Sequence, residues 1–205
     1  MIVAAVLGGC STMYYGTMEK FGVEKRDILV NRVDDARDAQ ADTQETFKNA
    51  LEQFASVVDY DGGDLQKQYD KMSSQLERCE KRAKEVTERI NSVEKVAEDL
   101  FKEWAKESKL YSNQTYRLES EKKLVETKKA YSQMIAAMRN AESKIEPVLV
   151  VFRDQTLYLK HNLNAKAVAA LQGESAKVAA DVNALIKELS DAIAEADRFI
   201  SSMEK

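Results

Sequence analysis

Apolar residues recur along this chain at intervals that alternate between four and three positions, which is the spacing of α-helical heptads. The repeat is strongest from Leu65 to Trp104, and a second clear repeat runs from Val178 to Met203. Because an α-helix completes a turn about every 3.6 residues, this spacing places the apolar side chains on one stripe of each helix. The pattern therefore predicts long amphipathic helices that bury their stripes against one another.

Two further segments carry the same pattern less regularly. A helix is predicted over residues 21–58, although polar Gln40 and Thr43 occupy stripe positions in its middle. A seam is also predicted over residues 118–152, where the phase of the repeat shifts relative to the preceding segment. No segment shows the strict alternation of a half-buried strand, so residues 21–205 are predicted to be all-helical.

Candidate helix ends occur where glycine, proline or polar runs interrupt the repeat. The clearest is a turn at residues 59–64, which contains two glycines suited to a helix end and Asp64 suited to the next N-cap. Further candidate breaks lie near residues 112–115, 147 and 173, which correspond to a polar run, to Pro147 and to Gly173.

Together these features predict an all-α fold, as an elongated antiparallel helical bundle or coiled coil of three to four long helices. We expect residues 21–205 to form a single domain, because short turns favour antiparallel neighbours. The run at residues 112–115 decides between a long rod, if the helix continues, and a shorter bundle, if the chain reverses. Both shapes stay open at this point, and so does a homo-oligomer built on the long seams.

The composition agrees with helices that have solvated faces. The chain has 205 residues, with one proline, seven glycines and 32% charged residues of both signs. Its formal net charge of −4 argues against a nucleic-acid partner, because binding to phosphates needs clustered Lys and Arg. No stretch after residue 10 approaches the roughly 20 apolar residues that a membrane-spanning helix needs.

A candidate lipidation site lies near the N-terminus, in the run Leu7-Gly8-Gly9-Cys10. An aliphatic residue and two small residues before a cysteine form a lipobox, in which the thiol receives a lipid before cleavage. We interpret residues 1–9 as the remnant of a lipoprotein signal peptide and residues 10–20 as the lipidated cysteine and a tether. A basic n-region is missing, so we expect the true start upstream. The alternative is an apolar tail buried against a partner.

Residues that could carry catalysis or bind metal are sparse. His161 is the only histidine, which leaves little for an imidazole metal site or a nucleophile triad. The acidic group Asp59, Asp61 and Asp64 fails the spacing of an EF-hand calcium loop, and a turn with an N-cap is favoured. Cys79 lies in a helical seam and is predicted to be a small buried hydrophobe. We predict no enzyme, no cofactor, no metal and no small-molecule substrate.

The stretch 109–166 carries a local excess of positive charge. It contains eleven Lys or Arg against six Asp or Glu, with four interspersed tyrosines. One interpretation is a face that lies on anionic lipid as a peripheral membrane-binding or membrane-remodelling module. The alternative is that these are ordinary solvated helix flanks, because acids and bases are interleaved.

Several short stretches of the chain resemble one protein family. These are residues 25–30 (KRDILV), 33–40 (VDDARDAQ), 51–54 (LEQF), 61–65 (DGGDL), 146–149 (EPVL) and 157–165 (LYLKHNLNA). In them the chain resembles a proteobacterial lipoprotein family known as domain of unknown function 2959. The resemblance implies a secreted envelope protein with a lipobox and an all-helical body. It implies no activity, because none is established for the family, and Ser11 after the lipid cysteine implies sorting to the outer membrane.

Six polar residues within the resembling stretches have no evident role in a seam. They are Asp34, Asp35, Arg37, Asp38, His161 and Asn162. We predict that they form a partner-binding surface, and the alternative is that Arg37 and its neighbours form a charge network with another helix. The leading hypothesis is a periplasmic lipoprotein that acts as a structural or adaptor module, anchored through Cys10 and bound to an unidentified envelope protein.

Overall fold

The computed structural model describes residues 25–60 and 62–204, which form four long helices. These are α1 (Lys25–Val58), α2 (Leu65–Glu107), α3 (Gln114–His161) and α4 (Ala165–Met203), with a short 3-10 helix at Ser108–Leu110 between α2 and α3. Strands are absent from this part of the chain. The all-α prediction is confirmed, while the predictions for residues 1–24, including Cys10, lie outside the described residues.

The helices form an antiparallel bundle in which each packs against two neighbours. Helix α1 lies between α2 and α4, and α3 lies between the same two helices on the opposite side. Short loops reverse the chain after each of the first three helices. One end of the bundle therefore carries the start of α1, the α2–α3 loop and the end of α4. The chain forms a bundle instead of a long rod.

The core is built from the four seams that the heptad pattern predicted. In α1 it includes Leu29, Val33, Phe47 and Phe54; in α2 Met72, Val86, Ile90 and Val93; in α3 Met134, Met138, Leu149 and Phe152; in α4 Val182, Leu185, Leu189 and Phe199. All are buried. Because the seams of one chain cover one another, the core itself does not require a second copy.

Each loop carries a side-chain cap at the start of the next helix. Asp64 accepts a hydrogen bond from the backbone N–H of Lys67, and Gly62 and Gly63 adopt φ of +143° and +121°, which disfavour residues with a Cβ. Asn113 accepts from two backbone N–H groups at the start of α3. The predicted breaks at residues 59–64 and 112–115 are confirmed, although Asp61 lies outside the described residues.

The other two predicted breaks are wrong. Helix α3 continues through Pro147, which is exposed. The carbonyl group of Ser143, which loses its helical N–H partner there, belongs to an exposed residue and can be solvated. Gly173 lies inside α4, and the real break is at residues 162–164, where Asn164 accepts from the backbone N–H of Ala167 and caps α4. Glycine weakens a helix by too little to end one whose stripe is buried on both sides of it.

Replacing Gly173 by alanine is expected to raise the free energy of unfolding by about 0.5–1 kcal/mol, because alanine loses less backbone entropy in a helix. A Cβ at this position would meet no atom within 4 Å, so no clash offsets the gain. Urea unfolding followed by circular dichroism measures the change. Gly63→Ala is the control and should be destabilising, since Gly63 has a positive φ. A loss of stability in Gly173→Ala would contradict a continuous α4.

Candidate interaction surfaces

The first candidate surface is a charge cluster around Arg37, on the side of the bundle formed by α1 and α4. The Arg37 guanidinium contacts Asp34 at 2.6 Å, Asp38 at 2.8 Å and Asp197 of α4 at 3.1 Å. The hydrogen bond to Asp38, followed by that to Asp197, raises the pKa of Arg37. Three of the predicted residues thus lie together, and their arginine links two helices, as the charge-network alternative predicted.

Asp35 belongs to a different side of the bundle. Its carboxylate accepts from Arg32 at 3.1 Å and from Arg89 of α2 at 3.4 Å, while Arg89 also lies 3.8 Å from Glu85. Asp35 therefore faces α2, whereas the Arg37 cluster faces α4. Half-exposed ion pairs of this kind each contribute about 0–1 kcal/mol.

His161 and Asn162 lie at the opposite end of the bundle from the start of α1. His161 is the exposed last residue of α3, and the Asn162 side chain donates to the carbonyl of Tyr158 at 3.0 Å. At the rise of an α-helix, Arg37 is roughly 30 Å from that end. The six predicted residues therefore do not form one surface, because they occupy two sides and one end of the bundle.

Sequence reasoning missed the densest charge network, which lies between α2 and α3. Arg139 of α3 binds Glu94 of α2 at 2.5 Å and Glu142 at 2.6 Å, and Glu142 accepts from Thr87 at 2.6 Å. These bonds, led by that to Glu94, raise the pKa of Arg139. Partners on different helices become neighbours only after folding, so sequence spacing gave no signal for this network.

A second arginine extends the same network toward the far end of α3. Arg153 binds Glu80 of α2 and Glu146 of its own helix, each at 2.6 Å. Between Arg139 and Arg153 lies an open groove of about 470 Å³ with Ala83 on its floor. Both arginines and the three glutamates of its lining take part in ion pairs, and two of these pairs join α3 to α2. Lys84 also lines the groove, and it lies 3.8 Å from Glu88, which does not.

The basic stretch 109–166 does not form one face. It covers the whole of α3, whose inner side is core. Its three arginines are all engaged within the chain: Arg117 binds Glu121 at 3.0 Å, and Arg139 and Arg153 bind carboxylates of α2. Exposed apolar side chains accompany cations at both ends of this stretch, and the most exposed of them, Leu110, lies at its beginning.

That beginning belongs to a surface that we call the hairpin tip, residues 104–118. Leu110 is 81% exposed, Leu118 57%, Tyr116 58% and Tyr111 48%. Hydrogen bonds join α2 to α3 at the base of the tip. Trp104 Nε1 donates to Ser120 Oγ at 3.0 Å, and Oγ of buried Ser108 lies 2.9 Å from Ser120 Oγ. The placement of Leu118 in the α3 seam is therefore wrong at this one position.

The buried cysteine of α2 and two buried polar residues of α1 belong to the packed core. Cys79 is fully buried in the α2 seam, and desolvation raises the pKa of its thiol to about 12, as expected for an unreactive core cysteine. Gln40 and Thr43 are also fully buried, and the Thr43 hydroxyl donates to the Ala39 carbonyl at 2.7 Å. Within residues 25–60 and 62–204 no group of three or more His, Cys, Asp or Glu side chains is placed to hold a metal ion.

Comparison with known proteins identifies one relationship. Residues 14–203 match the family model described as a protein of unknown function, DUF2959. No curated protein and no solved structure matches the chain. Of the four long helices, none has a stretch apolar enough to cross a membrane.

Proposed function

This chain belongs to the DUF2959 family of proteins of unknown function, and from that premise we propose that it is a non-enzymatic lipoprotein of the bacterial cell envelope. In this proposal a lipid on Cys10 anchors the chain on the periplasmic side of the outer membrane. The helical bundle then acts as a structural or adaptor module that binds an envelope protein.

The observation that carries the proposal is the lipobox Leu7-Gly8-Gly9-Cys10 ahead of a bundle that closes its own core. Cys10 precedes the first described residue, Lys25, by about 15 residues, a length that can span up to roughly 50 Å. Such a tether would let the bundle stand clear of the bilayer or lie against it. A lipid anchor supplies membrane attachment, which none of the described helices is apolar enough to supply by spanning.

The shape and surface of the bundle support an adaptor role. Helix α3 has 48 residues, so the bundle is roughly 70 Å long at the rise of an α-helix. Its exterior carries ion pairs that join neighbouring helices, among them Arg37 with Asp197 and Arg139 with Glu94. The proposed task of this elongated bundle, whose exterior is polar, is to place one surface at a distance from another.

The test is the mass and location of the protein in its native host. We expect the mature chain to begin at an acylated Cys10 and to remain with the envelope membranes. A Cys10→Ser variant should lose the acyl mass and leave the membrane pellet for the soluble fraction, because the lipid provides most of the attachment. Mass spectrometry of the extracted protein and fractionation with immunoblotting make the measurement.

Cys79→Ser is the matched control, since Cys79 is the other cysteine of the chain and lies in the core. It should keep the acyl mass and the membrane location of the native protein. An intact N-terminus without a lipid on Cys10 would overturn the proposal. If Cys10 is acylated, crosslinking from residues introduced beside Arg37 or beside His161 would show where the partner binds. The two positions distinguish the α1–α4 side from the end of the bundle that carries His161.

A further inference from the structure

We propose that the hairpin tip is a membrane-contact element that inserts its apolar side chains into the surface of an anionic phospholipid bilayer. The proposal deepens the function proposed above and rests on it for one point, the position of Cys10 in the chain. The tip would then fix the orientation of the bundle on the membrane, which a single lipid attached at Cys10 does not define.

The tip is exposed because two of the four helices end before it. Lys25, the first described residue of α1, lies 2.5 Å from Glu103 of α2. Beyond Glu103, α2 and the 3-10 helix continue for roughly 10 Å. On the other side Phe199 of α4 contacts Tyr131, so α3 extends roughly 20 Å past the end of α4. Among residues 25–60 and 62–204, no other helix covers the apolar residues of this overhang.

The hairpin tip consists of a hydrogen-bonded base and of exposed apolar residues beyond it, which we call its apolar crown. The Trp104, Ser108 and Ser120 network ties the end of α2 to the start of α3, and the Ser108 hydroxyl also donates to the Trp104 carbonyl at 2.8 Å. Above it, the rings of Tyr111 and Tyr116 pack edge to face at 6.5 Å beside exposed Leu110. Tyrosine and tryptophan suit the boundary between water and lipid, because each has an apolar ring and a polar group.

The charge of the tip favours an anionic bilayer over an apolar protein groove. Residues 104–118 contain Lys106, Lys109 and Arg117 and one acid, Glu107, in a chain whose net charge is −4. Arg117 is paired with Glu121, so the two lysines are the cations that carry this argument. Cations flanking an apolar crown are attracted to negative headgroups while the crown enters the interface. The chain that precedes Lys25, with Cys10, joins the bundle at this same end, so a lipid on Cys10 would leave the tip within reach of the membrane.

The experiment uses the full chain carrying Cys10→Ser, which removes the anchor. Its probe is a vesicle of phosphatidylethanolamine and phosphatidylglycerol in equal amounts, with bromine on the acyl chains. Trp104 is the only tryptophan, so its fluorescence reports on the tip alone. We expect the vesicles to quench Trp104, and we expect higher salt to weaken binding. Leu110→Gln with Leu118→Gln should weaken binding about tenfold or more, because less apolar surface enters the bilayer.

The matched control is Leu157→Gln with Leu163→Gln, which changes two exposed leucines toward the opposite end of the bundle. It should bind like the parent, and circular dichroism should show both double variants folded, since all four side chains are exposed. Unquenched Trp104, or an equal loss of binding in both double variants, would overturn the proposal. If light scattering instead shows a dimer that Leu110→Gln with Leu118→Gln dissociates, a second copy covers the tip.

The outcomes separate this inference from the proposed anchor. Acylated Cys10 with unquenched Trp104 would leave the anchor standing and overturn the membrane contact of the tip. Alternatively, the vesicles quench Trp104 but Cys10 carries no lipid in the native host. The tip would then stand as the membrane contact, and the proposed anchor would be overturned.

Discussion

Replacing Phe152 by alanine is expected to lower the free energy of unfolding by about 3–5 kcal/mol. Phe152 of α3 is buried, and its ring lies 6.2 Å from that of Phe47 and 6.5 Å from that of Phe54, both in α1. Helices α1 and α3 are diagonal in the bundle, so the three rings meet across its centre. The missing ring would leave a cavity between α3 and α1, which a close-packed core fills only in part by relaxation.

Urea unfolding of the unlipidated chain, followed by circular dichroism, measures this effect. Val150→Ala is the matched control, because Val150 lies two positions away in the same helix and is 45% exposed. We expect the control to change stability by less than about 1 kcal/mol. If the two variants proved equally stable, the diagonal contact between α1 and α3 would not be the centre of the core.

Replacing Gln40 by methionine is expected to raise the free energy of unfolding by about 1–2 kcal/mol. Gln40 is fully buried, its amide nitrogen donates to the Met138 carbonyl only at 3.5 Å, and its Oε1 has no hydrogen-bond partner among the described residues. A buried polar atom without a partner costs about 1–3 kcal/mol. Methionine has a similar length and enough flexibility to fill the same space without that cost.

Gln44→Met is the control with the opposite expected sign. Gln44 lies one turn along α1, and its amide donates to the Ile186 carbonyl at 3.0 Å and to Ser190 at 2.5 Å on α4. Its replacement should lower stability by about 0.5–1.5 kcal/mol, because those hydrogen bonds are lost. The same unfolding measurement compares both variants. A destabilised Gln40→Met would show that the Gln40 amide contributes bonds worth more than its burial costs.

The seams were predictable because heptad spacing is a local property of the sequence. Val178 and Met203, the ends of the repeat in α4, are buried, and so are Gln40 and Thr43, whose polarity made the repeat in the middle of α1 irregular. Helix ends were predictable where a cap and a turn occur together, as at Asp64. Gly173 was wrongly predicted as a break because no cap accompanies it. Asn164, the residue that caps the start of α4, was not predicted.

The candidate surfaces were less predictable because they combine residues from different helices. The pairing of Arg37 with carboxylates beside it in sequence is a local matter, but its bond to Asp197 depends on α4 lying alongside α1. The same holds for Arg139 with Glu94. Leu118 shows the converse, since its spacing is that of a seam residue and yet it is 57% exposed.

The sequence by itself determined that this protein is helical, which side chains form most of its stripes and where its clearest turns lie, because these follow from periodicity and capping within a few residues. The tertiary structure decided that four helices close into a bundle, that α1 and α4 end short of the α2–α3 hairpin, and which charges pair. Those features depend on the relative lengths and levels of helices that meet only after folding. That is why the exposed hairpin tip could not be identified from the sequence.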